Sequence, residues 1–427
     1  MTRRLRLDQS VPMLTKGYAW LPDRRRAAGR DTVQTRLMLA RRALAVAGAD
    51  GARFVYDEAN VRRGGALPEP VVSTLFGHGA VHGLDGEAHR VRKAMFVDLL
   101  TGARVGDLVD RVGAAWDDAV QDWAGQPQVV LLDEAARVLT RGVCDWAAVP
   151  VADAEVPALA RDLTALVDGF ATGAPRHWRA RRVRQRREAW LAGIVEDVRS
   201  GARTTPPGSA LDAVATHCDS EGELLEPRVA AVELLNVVRP TVAVCWFVAF
   251  AAHALHRWPQ HRDRLRHGGV FATAFAHEVR RYYPFAPFIG GRAPREVEWD
   301  GERVPAGSMV LLDLFGQAHD PQLFPEPYAF RPERFLTEDG EQLRSIGQWE
   351  LVPQGAGDPR TGHRCPGEDV TVALLADLAV RLARLEYALP EQDLGISLRR
   401  IPARPASLVV MTGVRPGGMT RRPARRS

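Results

Sequence analysis

Cysteine is scarce in this chain and nowhere clustered. Four cysteines, Cys144, Cys218, Cys245 and Cys365, are spread over 427 residues. None stands in a C-x-x-C pair, and so wide a spread excludes a disulfide framework. Long apolar runs are also missing. The longest, 242–252, falls well short of the ~20 residues that span a bilayer. The N-terminal MTRRLRLDQSVPMLTKGY carries charge but no apolar stretch of the signal-peptide kind. No internal repeat and no low-complexity linker interrupts the sequence. Surplus charge is absent from the body: lysine plus arginine number 57 against 52 acids, but five of those arginines lie in the last thirteen residues, which hold no acid. The pI of 9.3 therefore belongs to the tail and lends a nucleic-acid role little support. These absences leave a soluble, cytoplasmic protein as the expectation. What is plentiful is apolar, 46% hydrophobic residues against 26% charged, enough for a large buried core and incompatible with global disorder.

Apolar residues recur mostly at helical spacing. That spacing predicts helices over 32–47, 108–123, 131–146, 158–169, 176–199, 227–258, 271–283 and 368–385, with Pro227 suited to the first turn of the longest. Strand signals are few. Residues 296–305 alternate around Asp300-Gly301, a two-residue hairpin signal, and 309–314 and 408–412 read as short apolar strands. Proline and glycine concentrate over 324–367, which predicts a long, ordered, irregular segment. With no interior linker, one domain over 1–414 is expected, followed by a basic, disordered tail over 415–427.

Three motifs carry chemistry. Cys365 lies in QGAGDPRTGHRCPGEDVTVALL, where Pro366 suits the first position of a following helix. The sulfur then sits at a helix N-terminus beside His363 and Arg364, and backbone N–H groups, dipole and cations favour the thiolate. Such a sulfur serves as nucleophile, redox sensor or metal ligand; the bland alternative is a buried structural cysteine. Gly355, Gly357, Gly362 and Gly367 allow backbone to approach something flat. In FAHEVRRYYPF, Glu278 and Arg281 stand three apart. On an exposed helix that pair is worth a few tenths of a kcal/mol. Here Phe275, Val279, Tyr282 and Tyr283 crowd it, and Arg334 follows in FRPERF, so a buried glutamate with two arginines would lock the irregular segment onto the helix.

In order, Glu278-x-x-Arg281, FRPERF and the glycine-rich loop ending in HRCPG resemble the cytochrome P450 family in content, order and spacing, over about 8–414. The resemblance implies a mainly α haem-thiolate fold with small β-sheets. It implies haem b (iron protoporphyrin IX) with Cys365 as the proximal thiolate ligand of the iron, a ligand that favours O–O cleavage. It makes Glu278, Arg281 and Arg334 the structural lock of the fold.

The chain then departs from the family's usual pattern. The oxygen-activating helix normally carries an acid–alcohol pair; here LLNVVRPTVAVCWF puts Arg239-Pro240 at that place. A proline inside a helix costs roughly 3 kcal/mol, and an arginine among Val237, Val238, Val242 and Val244 needs an anion. The bland alternative is a proline kink with Arg239 paired to a structural carboxylate. The other alternative resembles the fatty-acid peroxygenase branch, as do the extended loop before Cys365 and RRYYPFAPFIGGR. There Arg239 would anchor the substrate carboxylate, which replaces the missing acid, Pro240 would reshape the helix, and H2O2 would serve as oxidant with no obligatory redox partner. The resemblance also matches His82 to the residue that biases hydroxylation at Cα or Cβ against decarboxylation to a terminal alkene. It assigns His89, Lys93, Arg292, His363 and, more weakly, Arg63 to the haem propionates. Phe76, Phe170 and Phe288 are candidate walls of an acyl channel.

The basic run RHWRARRVRQRR, 176–187, could hold nucleic acid or acidic lipid headgroups. It lacks the interleaved aromatics of a single-strand binder, Trp178 excepted, so a solvated helix face is the favoured reading. Three rival functions stand beside the peroxygenase: a conventional monooxygenase fed by ferredoxin or flavodoxin and acting on a carboxylic acid, a non-catalytic haem or fatty-acid binder, and a nucleic-acid binder using the basic helix.

Overall fold

The computed structural model describes residues 8–417 apart from 39, 171 and 173. The chain is mainly helical. The helices that build the site are α1 (Gly86–Leu100), α2 (Ala103–Trp123), α3 (Leu131–Ala147), α4 (Val156–Gly169), α5 (Ala174–Arg199), α6 (Pro227–Val242), α7 (Val244–Arg257), α8 (Val270–Tyr282) and α9 (Glu368–Arg384). Most coincide with the predicted spans to within a few residues at the ends. α3 illustrates the cause: Leu131, Leu132, Ala135, Val138, Leu139 and Val143 recur at three- and four-residue steps and are all buried. α6 and α7 are largely apolar, apart from the buried Glu233, Asn236 and Arg239 of α6, and lie in the centre of the main core, where Trp246, Phe250 and Phe275 are fully buried. Each such side chain contributes about 1.5–3 kcal/mol on burial. Residues 227–257 are long and apolar enough to cross a membrane by composition, yet 94% of their most apolar window is buried inside the fold, as in the core helix of a globular protein.

A four-stranded sheet forms from β1 (Val33–Leu37), β2 (Arg41–Val46), β3 (Phe288–Arg292) and β4 (Met309–Asp313), in the order β1-β2-β4-β3. β2 and β4 run parallel with Ala45 opposite Leu311. β3 and β4 run antiparallel, Phe288 opposite Asp313 and Arg292 opposite Met309. The hairpin at Asp300-Gly301 forms as expected, Val297–Trp299 pairing with Glu302–Val304 and both turn residues at positive φ.

Four expectations are corrected or refined. Residues 32–47 are the β1–β2 hairpin, not a helix: Val33, Thr35 and Leu37 alternate inward at period two, and Met38 and Ala40 take positive φ in the turn. Residues 227–258 are interrupted at the single residue Ala243, which keeps helical φ/ψ, so α7 continues α6; Pro240, which cannot donate to Asn236, lies inside α6 and not at the interruption. The strand expected at 408–412 is Val410–Pro416, since Leu408 and Val409 both have positive φ. The tail does not begin at Arg415: Arg415 and Pro416 belong to that strand, with Arg415 bonded to Glu386 at 2.6 Å. Residues 418–427 lie outside the described residues.

Candidate active site

Cys365 lies on the loop that enters α9. The helix begins at Glu368, two residues later than Pro366 would place it. The loop is held by a satisfied polar network. The Cys365 N–H donates to the Gln354 carbonyl at 3.0 Å. The Gln354 amide lies 3.9 Å from Cys365 Sγ and donates to Thr371 at 2.9 Å. Its carbonyl oxygen accepts from Arg280 Nε at 2.9 Å. Arg280 and Arg364 then grip the two oxygens of Glu368, at 2.5 and 2.6 Å. Burial pushes the Glu368 carboxyl up, but the two guanidinia outweigh it and hold it down at about 2. Glycine is required where the loop turns: Gly355 has φ +101°, and a Cβ there would meet Tyr56 Oη at 2.4 Å.

The thiolate expectation is only partly met. Burial pushes the Cys365 thiol up, against the opposing pull of the Gly367 N–H and Lys93. Arg364 does not help, because its guanidinium is spent on Glu368. A metal cation bound to the sulfur reverses this balance and deprotonates the thiol.

Beside the loop stands a group of buried donors short of acceptors. Arg63 Nη1, His89 Nδ1 and His363 Nε2 are buried and have no hydrogen-bond partner. His89 and His363 stack at 3.9 Å. Burial and then Lys93 lower His89 to about 4. Burial, His89 and Arg63 lower His363 to about 2. Both are neutral near pH 7, each with one N–H to give. Lys93 is buried, donates to the Arg364 carbonyl, and is lowered by burial to about 8. Each unsatisfied buried donor costs about 1–3 kcal/mol, so the cluster fits a bound dianion such as the two propionates of a haem. Glu58, His89 and His363 also bring one ligand atom each within 4.8 Å, but Lys93 and Arg63 beside them oppose a second cation. Arg292 is tied to this segment through its backbone, exchanging hydrogen bonds with Arg62 at 2.8 and 2.9 Å. Gly291 permits that contact, since a Cβ would lie 2.5 Å from the Arg62 carbonyl oxygen.

On the other side, α6 presents a different pattern. Glu233 is fully buried and fully used: it accepts from Arg92 and the Val81 N–H at 2.8 Å and from Asn236 at 3.2 Å. Asn236 also donates to the Phe76 carbonyl at 2.8 Å. Arg239, one turn on, is 6% exposed. Its one hydrogen bond among the described residues is a long one, 3.4 Å to Asn236 Oδ1, and its Nε has no partner there. Among the described residues no carboxylate pairs with it, so the bland reading of Arg239 fails. Burial and the neighbouring Arg184 lower it to about 9, with Cys365 opposing, and it remains a cation at neutral pH. The neighbouring alcohol, Thr241, donates to the Val237 carbonyl at 2.9 Å.

His82 lies in the turn Val81–Gly83, its ring 4.2 Å from that of Phe76. Burial, with Arg239 next, holds it well below the usual histidine range, and its Nδ1 has no partner. The other two channel candidates are seen by their packing. Phe170 packs on Tyr18, Ile401 and Ala403, and Phe288 packs edge-on to Trp20. At the remote lock, Glu278 takes Arg281 in two bonds of 2.7 and 2.8 Å and Arg334 at 3.2 Å. Arg281 also donates to the carbonyls of Ala318 and Pro327 at 2.8 Å, so the irregular segment is fastened to α8.

The sequence reading missed Gln354, Glu233 and Asn236; of these only Asn236, one helical turn from Arg239, had a local signal. It also took the whole basic run for a solvated face. Arg184, within that run, is 2% exposed. It pairs with Glu188 at 2.6 Å and donates to the carbonyls of Leu75 and Phe76 at 2.5 and 2.7 Å, fastening α5 to the short helical segment Val72–Phe76.

Comparison with known proteins agrees with this geometry. The cytochrome P450 family model matches residues 270–373. Cytochrome P450 82C3 of Arabidopsis thaliana is 34% identical over 108 residues, 25% of this chain and 20% of that protein; the chain thus matches about a fifth of the length of such curated relatives. The solved structures match throughout. A variant of cytochrome P450SP alpha (CYP152B1) has 40% identity and a TM-score of 0.92, covering 96% of this chain and 100% of that one. Cytochrome P450EX alpha (CYP152N1) with myristic acid has 35% identity and a TM-score of 0.91, covering 97% and 98%. A variant of cytochrome P450 OleT in complex with arachidonic acid has 33% identity and a TM-score of 0.92, covering 97% and 98%. With relatives of this identity aligned over nearly their whole length, the chain belongs to the cytochrome P450 family of haem-thiolate oxidoreductases, in its fatty-acid peroxygenase branch.

Proposed function

We propose that the protein is an H2O2-dependent fatty-acid peroxygenase, oxidising a medium- or long-chain fatty acid at Cα or Cβ by hydroxylation, by decarboxylation to a terminal alkene, or by both. The observation that carries this reading is the buried guanidinium of Arg239, which has no carboxylate of its own. Similarity to structures whose titles name myristic and arachidonic acid supports the choice of ligand.

Haem b would be held by Cys365, with His89, Lys93, Arg63, Arg292 and His363 toward its propionates; when bound, it supplies peroxide O–O cleavage under thiolate push. The remaining work falls to the chain. Arg239 binds the substrate carboxylate by charge-assisted, bidentate hydrogen bonds. The bound carboxylate then stands where an acid is otherwise lacking, able to take a proton from peroxide and return it. Pro240 leaves the Asn236 carbonyl without its helical donor and loosens α6 beside that carboxylate. His82, neutral and with its ring tilted against that of Phe76, has one N–H to place on water or peroxide. Asn236 orients Arg239 while Glu233 pins the backbone next to His82.

The test is incubation of haem-loaded protein with H2O2 and a series of saturated fatty acids, without reductase, with products read by mass spectrometry. Hydroxy acids or terminal alkenes are expected. Absence of product from a protein with an intact thiolate–CO spectrum, together with turnover on adding ferredoxin and its reductase, would overturn the reading in favour of a conventional monooxygenase.

A further inference from the structure

Large apolar side chains are seldom left exposed in company with unpaired cations. Val11 is 70% exposed, Leu14 59%, Trp178 54% and Leu398 37%, and the bonding pattern draws their segments together. The Tyr18 N–H donates to the Leu398 carbonyl at 2.9 Å. Gly17 lies so close that a Cβ would stand 2.2 Å from that same oxygen. The short helix Ser10–Lys16, with Val11 and Leu14, therefore ends against Leu398. Two residues on, Arg400 bonds to Asp168 at the end of α4. Asp168 also takes Arg176 at 3.3 Å and Arg404 at 3.7 Å. Arg176 stands two residues before Trp178 on α5.

Three arginines thus share one carboxylate, and the excess of positive charge adds to burial in lowering Arg400 to about 10. Around them Arg179, Arg182 and Arg399 are exposed and pair with no acid among the described residues. Beneath this surface lies a small apolar cluster of Tyr18, Ile401 and Ala403 with Phe170 packed on it. An exposed tryptophan and aliphatic side chains set among unpaired arginines complement a sheet of negative headgroups over hydrocarbon. A nucleic acid has no use for Val11 and Leu14. A protein groove would need a concave apolar face, which these scattered side chains do not make.

We propose that this face, formed by helix Ser10–Lys16, the 398–404 segment and the start of α5, docks peripherally on anionic lipid bilayers. The docking places Phe170 and the cluster beneath it against the lipid from which an acyl substrate is drawn. That last step rests on the fatty-acid reading; the docking itself does not.

The test is sedimentation of the haem-loaded full-length protein with phosphatidylglycerol–phosphatidylcholine vesicles and with phosphatidylcholine vesicles, at low and at 0.5 M salt, with no turnover involved. Binding is expected to the anionic vesicles only, and to be released by salt. Trp178→Ala should weaken it several-fold. Arg179→Glu with Arg182→Glu should weaken it by more than about tenfold, since each basic residue near an anionic surface contributes about fivefold in affinity. All three positions are exposed, so folding should be unaffected, and peroxide-driven turnover of dissolved fatty acid should not change. Wild-type protein that stays in the supernatant with anionic vesicles at low salt would overturn the proposal. So would variants that sediment like wild type, or a salt-sensitive shift of DNA by a protein that ignores the vesicles.

Discussion

The two sides of the site are built on opposite accounts of charge. Where the Cys365 loop is fastened down, the arginines have acids: Arg280 and Arg364 share Glu368, and in the lock behind it Arg281 and Arg334 share Glu278. On α6 the acids run out. Glu233 is committed to Arg92, and Glu188 to Arg184, while Arg239 is as deeply buried and has only a long bond to an amide. A matched buried pair holds a shape, and removing one member leaves a stranded charge. An unmatched buried cation is a vacancy for an anion, and its cost is recovered when that anion binds. The proposed carboxylate anchor rests on this contrast.

The comparison can be broken at several points. The largest effect is expected at the unmatched arginine. Arg239→Ala should preserve the haem spectrum and lower peroxide-driven fatty-acid turnover by roughly 100-fold or more, as loss of one partner of a desolvated charge pair costs 2–5 kcal/mol. At the lock, Glu278→Gln should instead destabilise the fold by about 3–5 kcal/mol, read by chemical denaturation, with haem retention lost alongside. Unchanged stability would mean that the pair holds nothing together.

Next comes pH. The Glu368 carboxyl sits at about 2 in the fold against 4.5 ordinarily, so its stabilisation is fully present above pH 4.5 and is lost as pH falls toward 2. That is about 3 kcal/mol over the interval. Glu368→Gln should flatten this part of the stability–pH profile, and a profile as steep as the wild type's would refute the assignment. The smallest effect belongs to His82→Gln. The side chain stays polar beside Phe76, so total turnover should change by less than about tenfold while the ratio of hydroxy acid to alkene rises.

How much of this was legible beforehand follows from the range of the interactions. Cys365 with its glycines, Glu278-x-x-Arg281 and Arg239-Pro240 are each written within a few residues, and were readable as such. β1 and β2 were misread as a helix because a short alternating stretch with a two-sided apolar pattern satisfies both periods, and only pairing of Ala45 with Leu311 decides between them. Arg184 looked like one more surface cation, and its burial comes from carbonyls more than a hundred residues away. The Glu233–Arg92 pair spans 141 residues. Whether Arg239 had an acid partner could not be read at all from sequence, because the answer depends on which arginine each acid had already taken.

The most direct test of the central claim is a binding titration of haem-loaded protein, wild type and Arg239→Ala, with tetradecanoate and with its methyl ester, followed by the Soret shift. The account predicts that wild type binds the acid at least about 30-fold more tightly than the ester, and that the variant binds the two alike. Equal affinity of wild-type protein for acid and ester would show that Arg239 holds no carboxylate, and the proposed function would fall with it.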